Sequence, residues 1–278
     1  MSFLSFNARR FWASFAVFAL LLPLASPLVH AKDTYVLEHS KISELEGGLH
    51  GDWTPVSNFG DSVASLGDFD ADGVTDYIVG APSDNEDTGE HVGAVWILLM
   101  NADETVKSKH KISELQGGFT GDLNEGDEFG SSVTSLGDLD DDGITDVAVG
   151  ASGENQQNGA VWILFLNADG TVKDQQKINA TEGGFTDLLG FGSYFGRSVL
   201  ALDDYNNDGN TDLTVGGVGK VWQLHLNDDG TVIAHTLMSE AVAPFAGENI
   251  AYFGFSLASL GHVDADGVLD LAVGGAAR

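Results

Sequence analysis

The chain repeats itself, and that constrains its fold more than any single segment does. Laid against itself, it yields a set of phrases that recur in one order. KISELEGGL at 41 returns as KISELQGGF at 111 and KINATEGGF at 177. An acidic phrase begins at Asp68, Asp138 and Asp204, with a weaker copy from His262. Nine residues before each start stands a Phe-Gly pair: Phe59-Gly60, Phe129-Gly130, Phe195-Gly196 and Phe253-Gly254. Each acidic phrase runs into an apolar stretch ending in glycine (YIVGAP, VAVGAS, LTVGG, LAVGGA). Then GAVWILLMNADETV, GAVWILFLNADGTV and GKVWQLHLNDDGTV read as a strand leading into a turn, and the units start 58 to 70 residues apart.

Each unit holds about four short β segments: one like SVASLGD, one like YIVG, one like VWILL and one around KISELEGG. Their Val, Ile, Trp, Phe and Tyr content and their bounding Gly, Asn and Asp fit strands. The Asp-Gly pair of Asn167-Ala168-Asp169-Gly170-Thr171 suits a hairpin turn, because glycine accepts a positive φ there. No segment after residue 31 sustains a helical period. Four-stranded units repeating at this length predict an all-β fold, a β-propeller, with an open β-solenoid of stacked units as the architectural alternative. About four repeats are visible, and the sequence stops at LAVGGAAR, where earlier units continue into their VWILL strand. The chain therefore reads as a fragment of a larger propeller, or as a propeller whose last blade is one strand short. Where a propeller closes by pairing its two ends, TYVLEHSKISELEGG could supply the fourth strand of that blade, though not the third as well.

Charge narrows the partners. The 12 Lys and Arg stand against 42 Asp and Glu, a net of -30, which excludes nucleic-acid backbones and anionic membranes as natural counterparts and favours cations. Glycine at 36 against proline at 5 suits tight turns between strands. The absence of cysteine removes disulfides, thiolate metal sites, cysteine nucleophiles and a lipidated-cysteine anchor. Residues 1–31 have the layout of a secretory signal peptide: Arg9-Arg10, the apolar run FWASFAVFALLLPLA, and Val29-His30-Ala31 as a cleavage site. An uncleaved membrane anchor is the other reading of this stretch, and Pro23 and Pro27 interrupt it. No second run long enough to cross a bilayer follows, so the segment 32–278 is expected outside the cytoplasm: secreted, at the cell surface, or periplasmic.

The acidic phrase has the chemistry of a calcium loop. Counted from Asp68, carboxylates fall at positions 1, 3, 5 and 9 (Asp68, Asp70, Asp72, Asp76), with Gly73 at position 6 and Val74 at position 7. Calcium takes about 6–8 oxygen ligands, so a short loop must bring several carboxylates, turn sharply on a glycine, and add a backbone carbonyl at position 7. The second loop repeats this with Asp138, Asp140, Asp142, Ile144 and Asp146, and the third with Asp204, Asn206, Asp208, Asn210 and Asp212. The fourth, 262–270, keeps Asp264, Asp266, Val268 and Asp270 but has His262 at position 1, a poor calcium ligand, so it is expected to be weak or empty. These are not EF-hands: position 12, where a bidentate Glu belongs, is Val79, Val149, Val215 and Val273. One such loop reads equally well as an acidic turn; three complete copies at one place in a repeat point to Ca²⁺. Without metal, each loop packs three or four like charges together, and their repulsion should loosen the unit.

A Phe-Gly, a DxDxDGxxD loop and a Gly-Ala-Pro in this order resemble the FG-GAP repeat of the integrin α-subunit N-terminal propeller and its relatives in secreted bacterial proteins. Phe59-Gly60, Asp68 to Asp76 and Gly80-Ala81-Pro82 match in full. The last element relaxes to Gly150-Ala151-Ser152, Gly216-Gly217 and Gly274-Gly275-Ala276. The resemblance covers nearly all of residues 34–278 and is specific for the repeat, less so for any partner. It implies a seven-bladed propeller with calcium in hairpin loops on one face and protein contacts on another. The expected function is a calcium-rigidified binding or adhesion module for an extracellular protein or surface ligand, without catalysis. The alternative is the propeller part of an extracellular hydrolase or carbohydrate-binding protein. No Gly-x-Ser-x-Gly, His-Glu-x-x-His or Arg-Gly-Asp is present. Trp96, Trp162 and Trp222 hold one place in each unit's apolar strand, which favours core packing over sugar stacking. The loops that differ most between units are 83–91, 153–158 and 186–194, the last carrying Leu188, Leu189, Phe191 and Tyr194.

Overall fold

The computed structural model describes residues 3–5, 40–43, 46–49, 56–85, 89, 91–202, 204–205, 208–239, 250–263 and 269–277. Three four-stranded antiparallel meanders dominate it, each formed by consecutive strands. The first joins β2 (Ser62–Gly67), β3 (Asp76–Ala81), β4 (Ala94–Met100) and β5 (Val106–Ile112). The second joins β6 (Phe129–Gly137), β7 (Asp146–Ala151), β8 (Ala160–Leu166) and β9 (Val172–Ile178). The third joins β10 (Ser198–Leu202), β11 (Asp212–Gly217), β12 (Lys220–Leu226) and β13 (Val232–Ser239). In a fourth sheet β14 (Ile250–Gly261) pairs antiparallel with β15 (Asp270–Ala277), and β1 (Phe3–Ser5) lies parallel to β15 on its other side. These sheets are the blades of a β-propeller, as the repeats predict. Of the segment 34–48 considered for the last blade's fourth strand, residues 34–39, 44 and 45 lie outside the described residues, as does most of 1–31.

In the first two blades the fourth strand begins earlier than the repeated KISELEGG phrase suggests. It is VKSKHKI or VKDQQKI, ending on the Lys-Ile of the phrase. The remainder, SELQGG, is a turn closed by bonds between Ser113 and Gln116. It is an outer strand whose middle residues are mostly exposed or half-buried, so its sequence is mostly polar and lacks the apolar alternation that marks a half-buried strand.

The third strand is its opposite. All seven residues of β4 and of β8 are buried: β8 lies between the first and third blades, and β4 between the second blade and Ile42, Leu49 and Phe59 of the preceding segment, so AVWILLM and AVWILFL are continuous apolar runs. The tryptophans belong to this packing: Trp96, Trp162 and Trp222 are all buried. The cores lie between blades. Ile78, Val95 and Ile97 of the first blade pack with Phe129, Val149 and Trp162 of the second in one cluster, and Val161 and Ile163 of the second join Val215 and Trp222 of the third in another. A single unit cannot bury its apolar faces, so the repeat is stable only as an array.

The Phe-Gly and the Gly-Ala elements meet at the joint between blades. The Gly130 carbonyl lies against Gly80, the Gly196 carbonyl against Gly150 and the Gly254 carbonyl against Gly216; in each case a Cβ on the second glycine would lie 2.0 Å from that oxygen. A serine from the first strand of the preceding blade donates to the same carbonyl: Ser62 Oγ to Gly130 O at 2.8 Å, Ser132 Oγ to Gly196 O at 2.7 Å, Ser198 Oγ to Gly254 O at 2.8 Å. A second joint forms at the other end of the blade. Val106, Val172 and Val232 donate their N–H groups to the carbonyls of Gly47, Gly117 and Gly183, the first glycine of each Gly-Gly pair. The motif read from sequence is thus a docking device between neighbours.

Candidate metal centres

Each acidic loop is the hairpin between the first and second strands of its blade, and it organises itself through its own carboxylates. Position 1 accepts from the backbone at positions 5 and 6: Asp68 from Asp72 N (2.8 Å) and Gly73 N (2.9 Å), Asp138 from Asp142 N (2.9 Å) and Gly143 N (2.8 Å), Asp204 from Asp208 N (2.8 Å) and Gly209 N (2.9 Å). Position 5 accepts from position 7, as Asp72 does from Val74 N, Asp142 from Ile144 N and Asp208 from Asn210 N, each at 2.9 Å. The chain folds back on itself tightly enough that position 6 takes φ of 89° in Gly73 and Gly143 and 102° in Gly209, the region where glycine is favoured.

Position 9 anchors the loop to the sheet. Asp76 is fully buried and accepts from Phe69 N at 2.9 Å and from Met100 N at 2.8 Å; Asp146, also fully buried, accepts from Leu139 N and Leu166 N, each at 3.0 Å. Burial pushes the Asp146 carboxyl up to about 6, against those two N–H groups, which favour its charged form, and with the charge of Asp140 adding to the rise. Asp212 faces His225 Nδ1 at 3.1 Å, and Asp270 of the fourth loop accepts from Val263 N at 2.7 Å. The four position-12 valines all lie in strands β3, β7, β11 and β15, so these hairpins return directly into the sheet.

In the first two loops the expected ligands converge. Asp68, Asp70 and Asp76 each place a carboxylate oxygen within 4.8 Å of the others, and so do Asp138, Asp140 and Asp146. Asp70 Oδ1 and Asp140 Oδ1 are buried with no hydrogen-bond donor reaching them. A buried carboxylate oxygen without a donor beside two further carboxylates is a destabilising arrangement for the protein alone and a suitable one for a hard divalent cation bound through oxygen. The residues present therefore fit such an ion. Asp72 and Asp142 stand apart from these triads and pair instead with lysines of the outer strand. Lys107 Nζ lies 2.7 Å from Asp70 Oδ2 and 2.6 Å from Asp72 Oδ2; Lys173 Nζ lies 2.6 Å from Asp140 Oδ2 and also contacts Asp142 Oδ2. Hydrogen bonds from these ammonium groups hold Asp72 and Asp142 below the usual carboxylate range, and the same contacts raise both lysines. In the remaining loops Asn206, Asp264, Asp266 and Val268 lie outside the described residues.

The lysines were missed in the sequence, although they recur one residue into the fourth strand of two units. The variable loops also resolve into distinct roles. In 186–194, Leu188 and Phe191 are exposed (83% and 81%), whereas Leu189 packs against the core beneath. Asp187 of that loop accepts a hydrogen bond from the Trp222 indole at 2.7 Å. The 83–91 and 153–158 loops carry inward carboxylates: Asp84 pairs with Lys111 at 2.8 Å and Glu154 with Lys177 at 2.6 Å. A short turn, α1 (Glu154–Gln157), holds Asn155 and Gln156 at positive φ. No helix among the described residues is long and apolar enough to cross a membrane.

A family model for the FG-GAP repeat matches residues 59–98 and 129–164, each running from the Phe-Gly pair through the acidic loop into the third strand. Mouse integrin alpha-2 is 36% identical over 171 residues, 60% of this chain and 14% of that protein. Xenopus laevis integrin alpha-5 is 34% identical over 194 residues, 68% of this chain and 17% of that protein. Human integrin alpha-11 is 34% identical over 171 residues, 59% of this chain and 13% of that protein. The chain spans less than a fifth of the length of these relatives. Matching repeat motifs, the blade-to-blade joint they build and this kinship agree: the chain belongs to the FG-GAP repeat proteins and is similar, across its blades, to the integrin α-subunits.

Proposed function

We propose that the chain is an extracellular, calcium-stabilised binding module, in which ions held by the hairpin loops fix the blades so that other loops present a rigid surface to a protein or surface ligand. The observation that carries this reading is the pair of carboxylate triads, Asp68, Asp70 and Asp76 and Asp138, Asp140 and Asp146, each containing a buried Asp oxygen without a donor. A bound Ca²⁺ supplies the missing partner and offsets the repulsion between like charges. Val74 and Ile144 would add carbonyl oxygens, and Asp72 and Asp142 a fourth carboxylate. By sequence, Asp204, Asn206, Asp208, Asn210 and Asp212 form a third site, and Asp264, Asp266, Val268 and Asp270 a weaker fourth one.

Binding rather than catalysis is the role supported by kinship with integrin α-subunits. Export through a signal peptide at residues 1–31 agrees with that kinship and with the net charge of -30, which suits a calcium-rich exterior. Leu188 and Phe191, large and exposed, mark one side of the surface on which a protein partner would be sought. The test is thermal melting of the chain with calcium and with a chelator, followed by calcium titration. A large rise in melting temperature and about three ions bound per chain is the expected result; equal melting temperatures under both conditions refute the calcium role.

A further inference from the structure

The loops at 68–76 and 138–146 each hold a cation that the protein supplies itself. Register, as well as sequence, makes Lys107 and Lys173 equivalent. The pairing of β4 with β5 passes from Leu99–Ser108 to Met100–Val106, leaving Lys107 as the extra residue of a bulge, and that of β8 with β9 passes from Phe165–Asp174 to Leu166–Val172, leaving Lys173. The bulge turns each side chain over its own blade's loop. There the ammonium bridges the position-3 and position-5 carboxylates through their Oδ2 atoms, while the Oδ1 atom of position 3 stays buried and without a donor. In the third blade the pairing passes from His225–Ala234 to Leu226–Val232, and the bulge residue is Ile233, 55% exposed.

We propose that Lys107 and Lys173 are tethered counter-ions that hold their loops together without metal and must release Asp72 and Asp142 before a calcium ion is fully ligated. Calcium binding at 68–76 and 138–146 is therefore an exchange of one cation for another. This rests on the calcium reading above and adds to it: these two loops are buffered against low calcium. The bidentate, charge-assisted contact at positions 3 and 5 is what the incoming ion has to displace. The displaced ammonium then remains close to a doubly charged ion, which opposes binding further.

The experiment uses the full chain and the double substitution Lys107→Ile with Lys173→Ile, which places at both bulges the residue found in the third blade. Calcium affinity is read by calorimetric titration, and melting temperature is read in chelator and in saturating calcium. The expected result is about a tenfold gain in affinity at two sites, equivalent to about 1.4 kcal/mol each, with the third unchanged. Melting temperature falls in chelator and does not fall in saturating calcium. The converse substitution Ile233→Lys weakens one site and leaves the others, which keeps the test open even if the double variant folds poorly. Calcium bound by the wild type with unchanged affinity in both variants overturns the lysine exchange while leaving the calcium reading intact. A wild type that takes up no calcium overturns both, and an unchanged melting temperature in chelator then removes the lysines' structural role as well.

Discussion

Replacing Gly150 by alanine tests the joint between blades at its tightest point. The added methyl would sit 2.0 Å from the Gly196 carbonyl oxygen and 2.4 Å from Ser132 Oγ, both of which are fixed against each other by a 2.7 Å hydrogen bond. Neither neighbour is the free end of a flexible side chain, so the backbone of the next blade has to retreat by about 1 Å, and a bond that short does not survive the movement. Overpacking of a close-packed site costs about 1–3 kcal/mol. Leaving the buried carbonyl without its donor costs about 1–3 kcal/mol more. The sum, about 2–6 kcal/mol, corresponds to a drop in melting temperature of about 4–24 °C for a protein of this size. The assay is denaturant and thermal unfolding in saturating calcium, so that the loops contribute equally in both proteins. Ser132→Ala alone should cost about 1 kcal/mol, and it should cost almost nothing more when Gly150→Ala is already present, because the two remove one bond. A Gly150→Ala protein within about 0.5 kcal/mol of wild type, or full additivity of the two changes, refutes the reasoning.

Three further outcomes follow from other parts of the structure. Glu104 occupies φ of 65° at the turn position filled by Gly170 and Gly230 in the other blades; Glu104→Gly relieves about 1–2 kcal/mol of strain and costs about 0.5–1 kcal/mol of chain entropy, so a small rise in melting temperature is expected, and a fall would show that the contact of Glu104 with Ser40 outweighs both. Lys111 and Asp84 form an ion pair with side chains 4% and 2% exposed; Lys111→Met leaves a buried charge and should destabilise by about 3–5 kcal/mol in denaturant unfolding, most of it recovered when Asp84→Ala is added. Asp127 is buried, and burial first, with the nearby charge of Glu154, raises its carboxyl above the ordinary range. The folded state therefore holds that proton more tightly than the unfolded chain, and stability from this group falls as pH rises from the unfolded carboxylate value of about 4 through the raised folded one. Asp127→Asn should flatten that fall and be more stable than wild type at neutral pH; parallel stability profiles for the two proteins would contradict it.

Much of this was written in the repeats. The acidic loops, the in-strand position of the four valines and the burial of Trp96, Trp162 and Trp222 follow from residue type and period alone, because each is a local demand met at the same place in every unit. The fourth strand was placed late because its exposed edge carries the polar sequence SKHK or DQQ, which has no apolar alternation to read. Lys107 and Lys173 were hidden for a different reason: their function depends on a bulge in the strand pairing, and pairing register is a property of two strands that no single one displays. The docking of Gly196 on Gly150 was likewise out of reach, since the two glycines meet only when successive blades stack. The serine that completes the joint stands two residues after each Phe-Gly pair and was available as a signal, unread for want of a partner.

The joint between blades is made almost entirely of groups every protein has. A backbone carbonyl, a glycine with no side chain and one hydroxyl form it, at Ser62 and Gly130, at Ser132 and Gly196, and at Ser198 and Gly254. Such a connector reads nothing of its neighbour's side-chain identity beyond that serine and that glycine, so the hydrogen-bonded joint itself places no further demand on the blade that follows. The outer strands VKSKHKI, VKDQQKI and VIAHTLMS have diverged freely behind it. The side-chain identity that a blade must match therefore lies in the apolar clusters between blades, and a blade grafted from a relative would close its seam wherever those clusters still pack.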